Sequence, residues 1–330
     1  MKNELKKNLT YQKTMLILSV LCIASGFLTL LISEAAIPLT AALLGAIFLF
    51  EEKGRRRYSY IVSAVLLLIN ASLFLIPDTM PGFFGITVIL FALIISRAYS
   101  VGAEKSEAAF VMTAIAALTT LLAFIVAPMV ASGELDFGVV RSFYEKLASL
   151  LREEIILAFS TALDSLSAEG TAVMIDIEQI NELFDYQLNM LVSYLVIFAF
   201  FLVGATFKCF SIVVSKCAES PEPIFLWRFK TSSVFAYFYF ALTVATLFIP
   251  SLDSAFAITV INLYNILMFV YFYVGFNIAV AFMAKRKKPF FAFITVLIAV
   301  MLFTSFAIEL LAIIGAFFTI KANEQSIKSE

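Results

Sequence analysis

Histidine is absent from the 330 residues. With it goes the side chain that most often shuttles protons near neutral pH and most often holds a metal. Charge is scarce too: Asp, Glu, Lys and Arg make up 14% of the chain and nearly cancel, at a net −1, so no basic field points to nucleic acid. Cysteine is nearly missing, with three in all. Cys22 and Cys209 lie in apolar stretches and Cys217 in a short basic loop, which makes them free thiols rather than a disulfide framework. No Walker A loop, dinucleotide fingerprint, HExxH pair or GxSxG elbow occurs. The sequence therefore supplies no catalytic residue, no metal site and no cofactor, and the chain reads as a non-enzyme.

What it has in abundance is apolar surface. Hydrophobic residues are 62% of the chain and the mean hydropathy is +1.00, values that belong to a protein whose solvent is lipid. About 20 mostly apolar residues carry a helix across the hydrocarbon core, and runs of that order choose helices over a closed barrel. The expected spans are 15–33, 35–50, 60–76, 83–96, 108–130, 190–214, 234–250, 256–284 and 290–320. The fold class is an all-α transmembrane bundle of about nine spans. Pro38 and Pro81 fall where a first helical turn tolerates them.

Lys and Arg in the short loops set the orientation. Lys2, Lys6, Lys7 and Lys13, then Lys53 with Arg55 to Arg57, Arg97 and Lys105, Lys208 to Lys230, and the tetrad from Lys285 to Lys288 occupy alternate loops. The intervening loops around Glu34, Asp78 and Asp253 carry neither residue. This places the N-terminus in the cytoplasm of a bacterial inner membrane, with Lys321 and Lys328 as the discordant charges on the outside. The first apolar run is longer than the roughly 7–15 residues of a signal-peptide core, so it reads as a span.

One soluble stretch, 132–189, separates a five-span half (1–131) from a four-span half (190–330). Within it Val140, Phe143, Leu147, Leu150, Leu151, Ile155, Phe159 and Leu163 recur at helical spacing opposite Arg141, Glu145, Arg152 and Asp164. An amphipathic external helix over 136–166 is expected, then a second helix from about Asp176 running into span six. The pair either packs on the bundle mouth or forms a lid or docking surface.

Polar groups inside hydrocarbon are costly and face the bundle interior. On the eighth span Asn262, Asn265, Tyr273 and Asn277 share one face at about 100° per residue. They could hydrogen-bond a small polar solute or tie helices together. Glu309 follows 19 apolar residues of the last span (290 to 308), so it is either an intramembrane proton carrier or ligand anchor, or a group at the outer interface. Small residues at Ala41 and Gly45, Thr113 and Ala117, and Ala123 and Ala127 allow close helix approach.

Five spans, an external helical insertion, a loop reading Pro221-Glu222-Pro223-Ile224-Phe225-Leu226-Trp227-Arg228-Phe229, an asparagine in the following helix pair (Asn262 or Asn265) and the late Gly315 together make a pattern. This layout resembles the YybS-like family of predicted bacterial membrane proteins, a domain of unknown function (number 2232). The family usually places an acidic residue just after the late glycine, where Phe317 and Phe318 stand here. That family in turn looks distantly similar to the substrate-capturing subunits of energy-coupling-factor transporters, which implies a small helical bundle with a solute pocket on its outer side. The expected partners are the lipid bilayer, a small-molecule solute and other membrane subunits. The expected role is binding or helping to translocate that solute through a site including Asn262, Asn265, Tyr273, Asn277 and Glu309. The alternative is a scaffold or regulator of envelope processes that docks a partner on its external helices.

Overall fold

The computed structural model describes residues 2–51, 57–73, 84–102, 105–168, 177–217, 231–249, 254–285 and 288–329, and every regular element among them is helical. In chain order these are α1 (Lys2–Ile32), a 3-10 turn (Ser33–Ala36), α2 (Ile37–Phe50), α3 (Arg57–Leu73), α4 (Phe84–Val101), α5 (Lys105–Ser132), α6 (Phe137–Ala168), α7 (Ile177–Asn189), α8 (Leu191–Cys217), α9 (Ser233–Thr246), α10 (Ala255–Ala284) and α11 (Pro289–Ser329). The apolar runs of the sequence reappear as these helices, with α6 and α7 standing where the amphipathic insertion was expected. Among the described residues, six helical segments are long and apolar enough to cross a membrane: Tyr11–Leu28, Phe84–Val101, Ser106–Ser132, Leu191–Cys217, Ala255–Ala284 and Phe306–Gln325. Four more are apolar but shorter, at Ile37–Phe50, Arg57–Ser72, Ser233–Thr246 and Phe290–Phe303. Pro81 lies outside the described residues, and so does the loop 218–230.

The first half of the bundle, made of α1 to α5 together with α8 from beyond the insertion, is built around α2. Its residues from Ile37 to Ile47 are buried on nearly all sides, as a helix without a polar face must be, and α1, α4 and α8 surround it. Gly45 makes room for Ile95 and Phe210, so the small-residue spacing of the second span brings α4 and α8 close. Several polar groups in this core are paired: the Ser25 and Thr40 hydroxyls meet at 2.7 Å, and Gly85 N–H donates to the Asn70 amide oxygen at 2.7 Å. Glu51 is buried at 6% exposure. Its carboxylate accepts from the N–H groups of Tyr58 (2.7 Å) and Ser59 (3.2 Å) at the start of α3, where orphan donors and the helix dipole favour an anion.

The insertion formed by α6 and α7 is fastened by a defect. Pro128 lies inside α5 and has no N–H, so the carbonyl four residues back, on Phe124, loses its helical donor. The Tyr144 hydroxyl of α6 donates to that carbonyl at 2.7 Å, and the two rings pack at 5.8 Å. Further along, Arg152 of α6 pairs with Asp185 of α7 and lies 5.1 Å from the centre of the Phe184 ring.

The second half associates differently. Ala236, Tyr239, Tyr271, Ala312 and Ala316 form its buried cluster, and the backbones of α10 and α11 touch. A methyl at Gly275 would overlap the Leu311 carbonyl oxygen, and one at Gly315 would overlap that of Tyr271 and stand 2.8 Å from Gly275 N. Such crossings gain close van der Waals contact at small residues, the usual source of helix association in lipid. Gly315→Ala or Gly275→Ala should cost about 1–3 kcal/mol as overpacking. The thermal midpoint in detergent should fall well below wild type, whereas Leu302→Ala, at an exposed position of α11, should leave it near wild type.

Candidate functional site

Of the five residues expected to form a solute site, Asn262, Asn265, Tyr273 and Asn277 lie on one face of α10, whereas Glu309 lies on α11. Asn262 is 7% exposed and its amide is fully engaged. Its oxygen accepts from Ser193 N–H at 2.9 Å, and its NH2 group donates to the Asn189 carbonyl at 2.7 Å and to the Ile258 carbonyl at 2.9 Å. Between Asn189 and Ser193 runs the join of α7 and α8 at Met190, where the helical bond from Ser193 N–H to Asn189 C=O is open. The Asn262 side chain is inserted into that gap and satisfies both ends, a recognised cause of a helix kink. Asn265 donates to the Met190 sulfur at 3.2 Å on the same join. Tyr273 packs edge-on to Phe200 of α8 at 5.6 Å and hydrogen-bonds Asn277. Of the two uses open to these groups, tying helices is the one Asn262 displays.

Glu309 lies elsewhere. It is exposed on α11 and within electrostatic reach of Tyr239 and Tyr264, whose rings are stacked at 6.0 Å. Tyr264 leaves α10 about 200° around from Asn262 at 100° per residue, so the acid and the amides serve different faces.

Between the two halves lies a cavity of about 420 Å³. Its walls come from α5 (Ser106 to Thr113), α8 (Val196, Ile197, Phe200), the start of α9 (Thr231, Ser232, Phe235) and α10 (Ile266 to Tyr271). Phe110, Phe200, Phe235 and Phe269 supply apolar surface, and Ser106, Glu107, Thr231 and Ser232 gather polar groups at the first turns of α5 and the entry to α9. None of the five expected residues lines it. Tyr271 does: the side chain is fully buried, and its hydroxyl makes no hydrogen bond of good geometry among the described residues, the Thr231 side chain of the same cavity being its polar neighbour. A phenol left poorly paired in a low-dielectric wall costs up to about 1–3 kcal/mol and asks for an explanation. The volume is in the range of small-molecule sites, about 300–1,000 Å³, and the pattern of apolar walls with a few placed polar groups is theirs as well.

Sequence reasoning passed over this site because nothing marks it locally. Apolar residues facing a cavity look the same as apolar residues facing lipid. Tyr271 gave the one available signal, a phenol deep in a long apolar span that needs a partner for its hydroxyl. No group of three or more Cys, Asp or Glu residues among the described residues is placed to hold a metal ion.

The family model described as predicted membrane protein (DUF2232) matches residues 16–317, and the chain belongs to that family. No curated protein matches it, and no solved structure does either.

Asn262→Leu removes both halves of the bridge and strands the Asn189 carbonyl and the Ser193 N–H in the bundle. Each orphan costs about 1–3 kcal/mol, so a drop of several degrees or more in the melting point is expected, together with faster hydrogen exchange at Ser193. Equal protection at Ser193 in variant and wild type would rule out the bridging role.

Proposed function

We propose that this membrane protein of the DUF2232 family binds a small amphiphile, a molecule with an apolar body and a polar head, in the cleft between its two halves, and that it does so without catalysis. The observation that carries the reading is the fully buried Tyr271 hydroxyl, beside Thr231 but without a well-formed hydrogen bond, in the wall of a largely apolar cavity. The apolar body would lie among Phe110, Phe200, Phe235 and Phe269. The head would accept or donate a hydrogen bond at Tyr271 and reach the hydroxyls of Thr231, Ser232 and Ser106 beside the Glu107 carboxylate. Four helices from both halves meet at the cleft, so an occupant bridges them, and translocation would require them to part.

A second reading, docking of a membrane partner on the insertion, is favoured by the large apolar side chains that α6 leaves uncovered, among them Phe137 at 72% and Leu157 at 67% exposure. The same membrane extract separates the two. Amphiphile binding survives Leu157→Glu, whereas partner recovery is lost.

Native mass spectrometry of the purified chain tests the first reading directly. Wild type should carry an amphiphile adduct, Val270→Trp should lose most of it while melting near the wild-type temperature, and Tyr271→Phe should hold it roughly 2- to 10-fold more weakly, the worth of one hydrogen bond. An adduct retained unchanged by the tryptophan-filled variant, or absent from wild type, would sink the proposal.

A further inference from the structure

α11 is helical from Pro289 to Ser329, yet its contacts are those of two segments running in opposite directions. Its first part follows α10 after a short connection, and Ala292 and Val296 pack with Val280 and Phe276. The rings of Phe293 and Phe276 are 5.6 Å apart. Rising along this part of α11 means descending α10, so the two are antiparallel.

The second part obeys the opposite sense, as α9 shows. α9 is antiparallel to α10: it leads into the start of α10, its Tyr239 stacks on Tyr264 at 6.0 Å, and its entry residues Thr231 and Ser232 share the cavity wall with Val270 and Tyr271. Along α11 the same α9 residues meet descending numbers. Thr231 accepts from Asn323 at 3.2 Å and its hydroxyl lies 3.4 Å from that of Thr319, while Tyr239 clusters with Ala312 and senses Glu309. Antiparallel to the same helix, α10 and the second part of α11 are parallel to each other.

Length makes the same point. In a straight α-helix Phe293 and Leu311 would be about 27 Å apart at 1.5 Å per residue, but Phe293 packs on Phe276 while the Leu311 backbone abuts the neighbouring Gly275. We infer that the chain reverses direction between Val300 and Glu309, that α11 is two membrane helices, and that the C-terminus emerges on the same side of the membrane as the N-terminus.

The reversal brings the apolar helices to ten, an even number, and moves Lys321 and Lys328 from the side where they were discordant to the side of the tetrad at Lys285. It sets Glu309 near the turn on the opposite side, where its exposed carboxylate meets water or headgroups. The reversal stands whatever occupies the cleft.

Two measurements on the full chain decide it. Carboxyl-terminal fusions in a bacterial membrane should give a fluorescent green fluorescent protein and an inactive alkaline phosphatase when the N-terminus is cytoplasmic; an active phosphatase with a dark fluorophore would overturn the proposal. In a chain freed of Cys22, Cys209 and Cys217, the pairs Val280→Cys with Ala292→Cys and Thr231→Cys with Thr319→Cys should both cross-link under mild oxidation in monomers. Cross-linking of only one pair would leave α11 a single rod and refute the reversal.

Discussion

Hydrocarbon offers no hydrogen bonds, and the structure answers that deficit at two places where a helix is interrupted. Within intact helices the hydroxyls turn back on their own backbone, as Thr206 does to Leu202 at 2.7 Å and Thr319 to Gly315 at 2.9 Å. Where the ladder opens, a side chain from another helix closes it. Tyr144 replaces the donor that Pro128 cannot give, and Asn262 replaces the bond missing across Met190. Each repair is also a tertiary contact, because the group that mends one helix belongs to another. The insertion of α6 and α7 is thereby held at both ends, through Tyr144 where it leaves α5 and through Asn262 where it enters α8.

The two halves solve the packing problem in different ways. The first wraps larger side chains, Met15, Leu66, Phe91, Ile95 and Met112 among them, around a nearly featureless α2. The second brings backbones together at Gly275 and Gly315, where even a methyl group will not fit. Close backbone approach draws α9, α10 and α11 into a compact unit and leaves its junction with the first half to aromatic rings, with Phe201 and Phe269 at 4.9 Å and Phe200 and Phe269 at 6.1 Å. Ring edges and faces pack less completely around a seam than interlocked small residues do, and the cavity opens along that seam.

Much of this was legible in the sequence because the signals are local. Apolar runs located the helices, the 3.6-residue period located α6, and a switch to acidic residues located α7. Gly315 stood out through family resemblance, but its meaning depended on Gly275, a lone glycine in a helix that contacts it only in the fold. Asn262 was recognised as a polar group that must face the interior, and its two open uses could not be separated without Asn189 and Ser193, far away in sequence. Nothing local in the sequence marks Glu51, which becomes a cap only through its burial beside the N–H groups of Tyr58 and Ser59 at the head of α3. The last helix was read as one span over 290–320 because hydropathy does not dip where the contacts change direction.

α10 is the element through which these features communicate. Counting about 100° per residue from Asn262, one side of the helix, with Asn262, Asn265 and Tyr273, is committed to α8; the opposite side, near 200–220°, with Tyr264 and Gly275, is committed to α9 and α11. Ile266 and Val270, at about 40–80°, lie between these commitments and face the cavity. Both neighbouring faces are fixed by contacts that tolerate little movement, an amide wedged in a broken helix and a backbone against a backbone. The cavity wall is therefore held open by its flanks, and a molecule entering it meets a shape already formed.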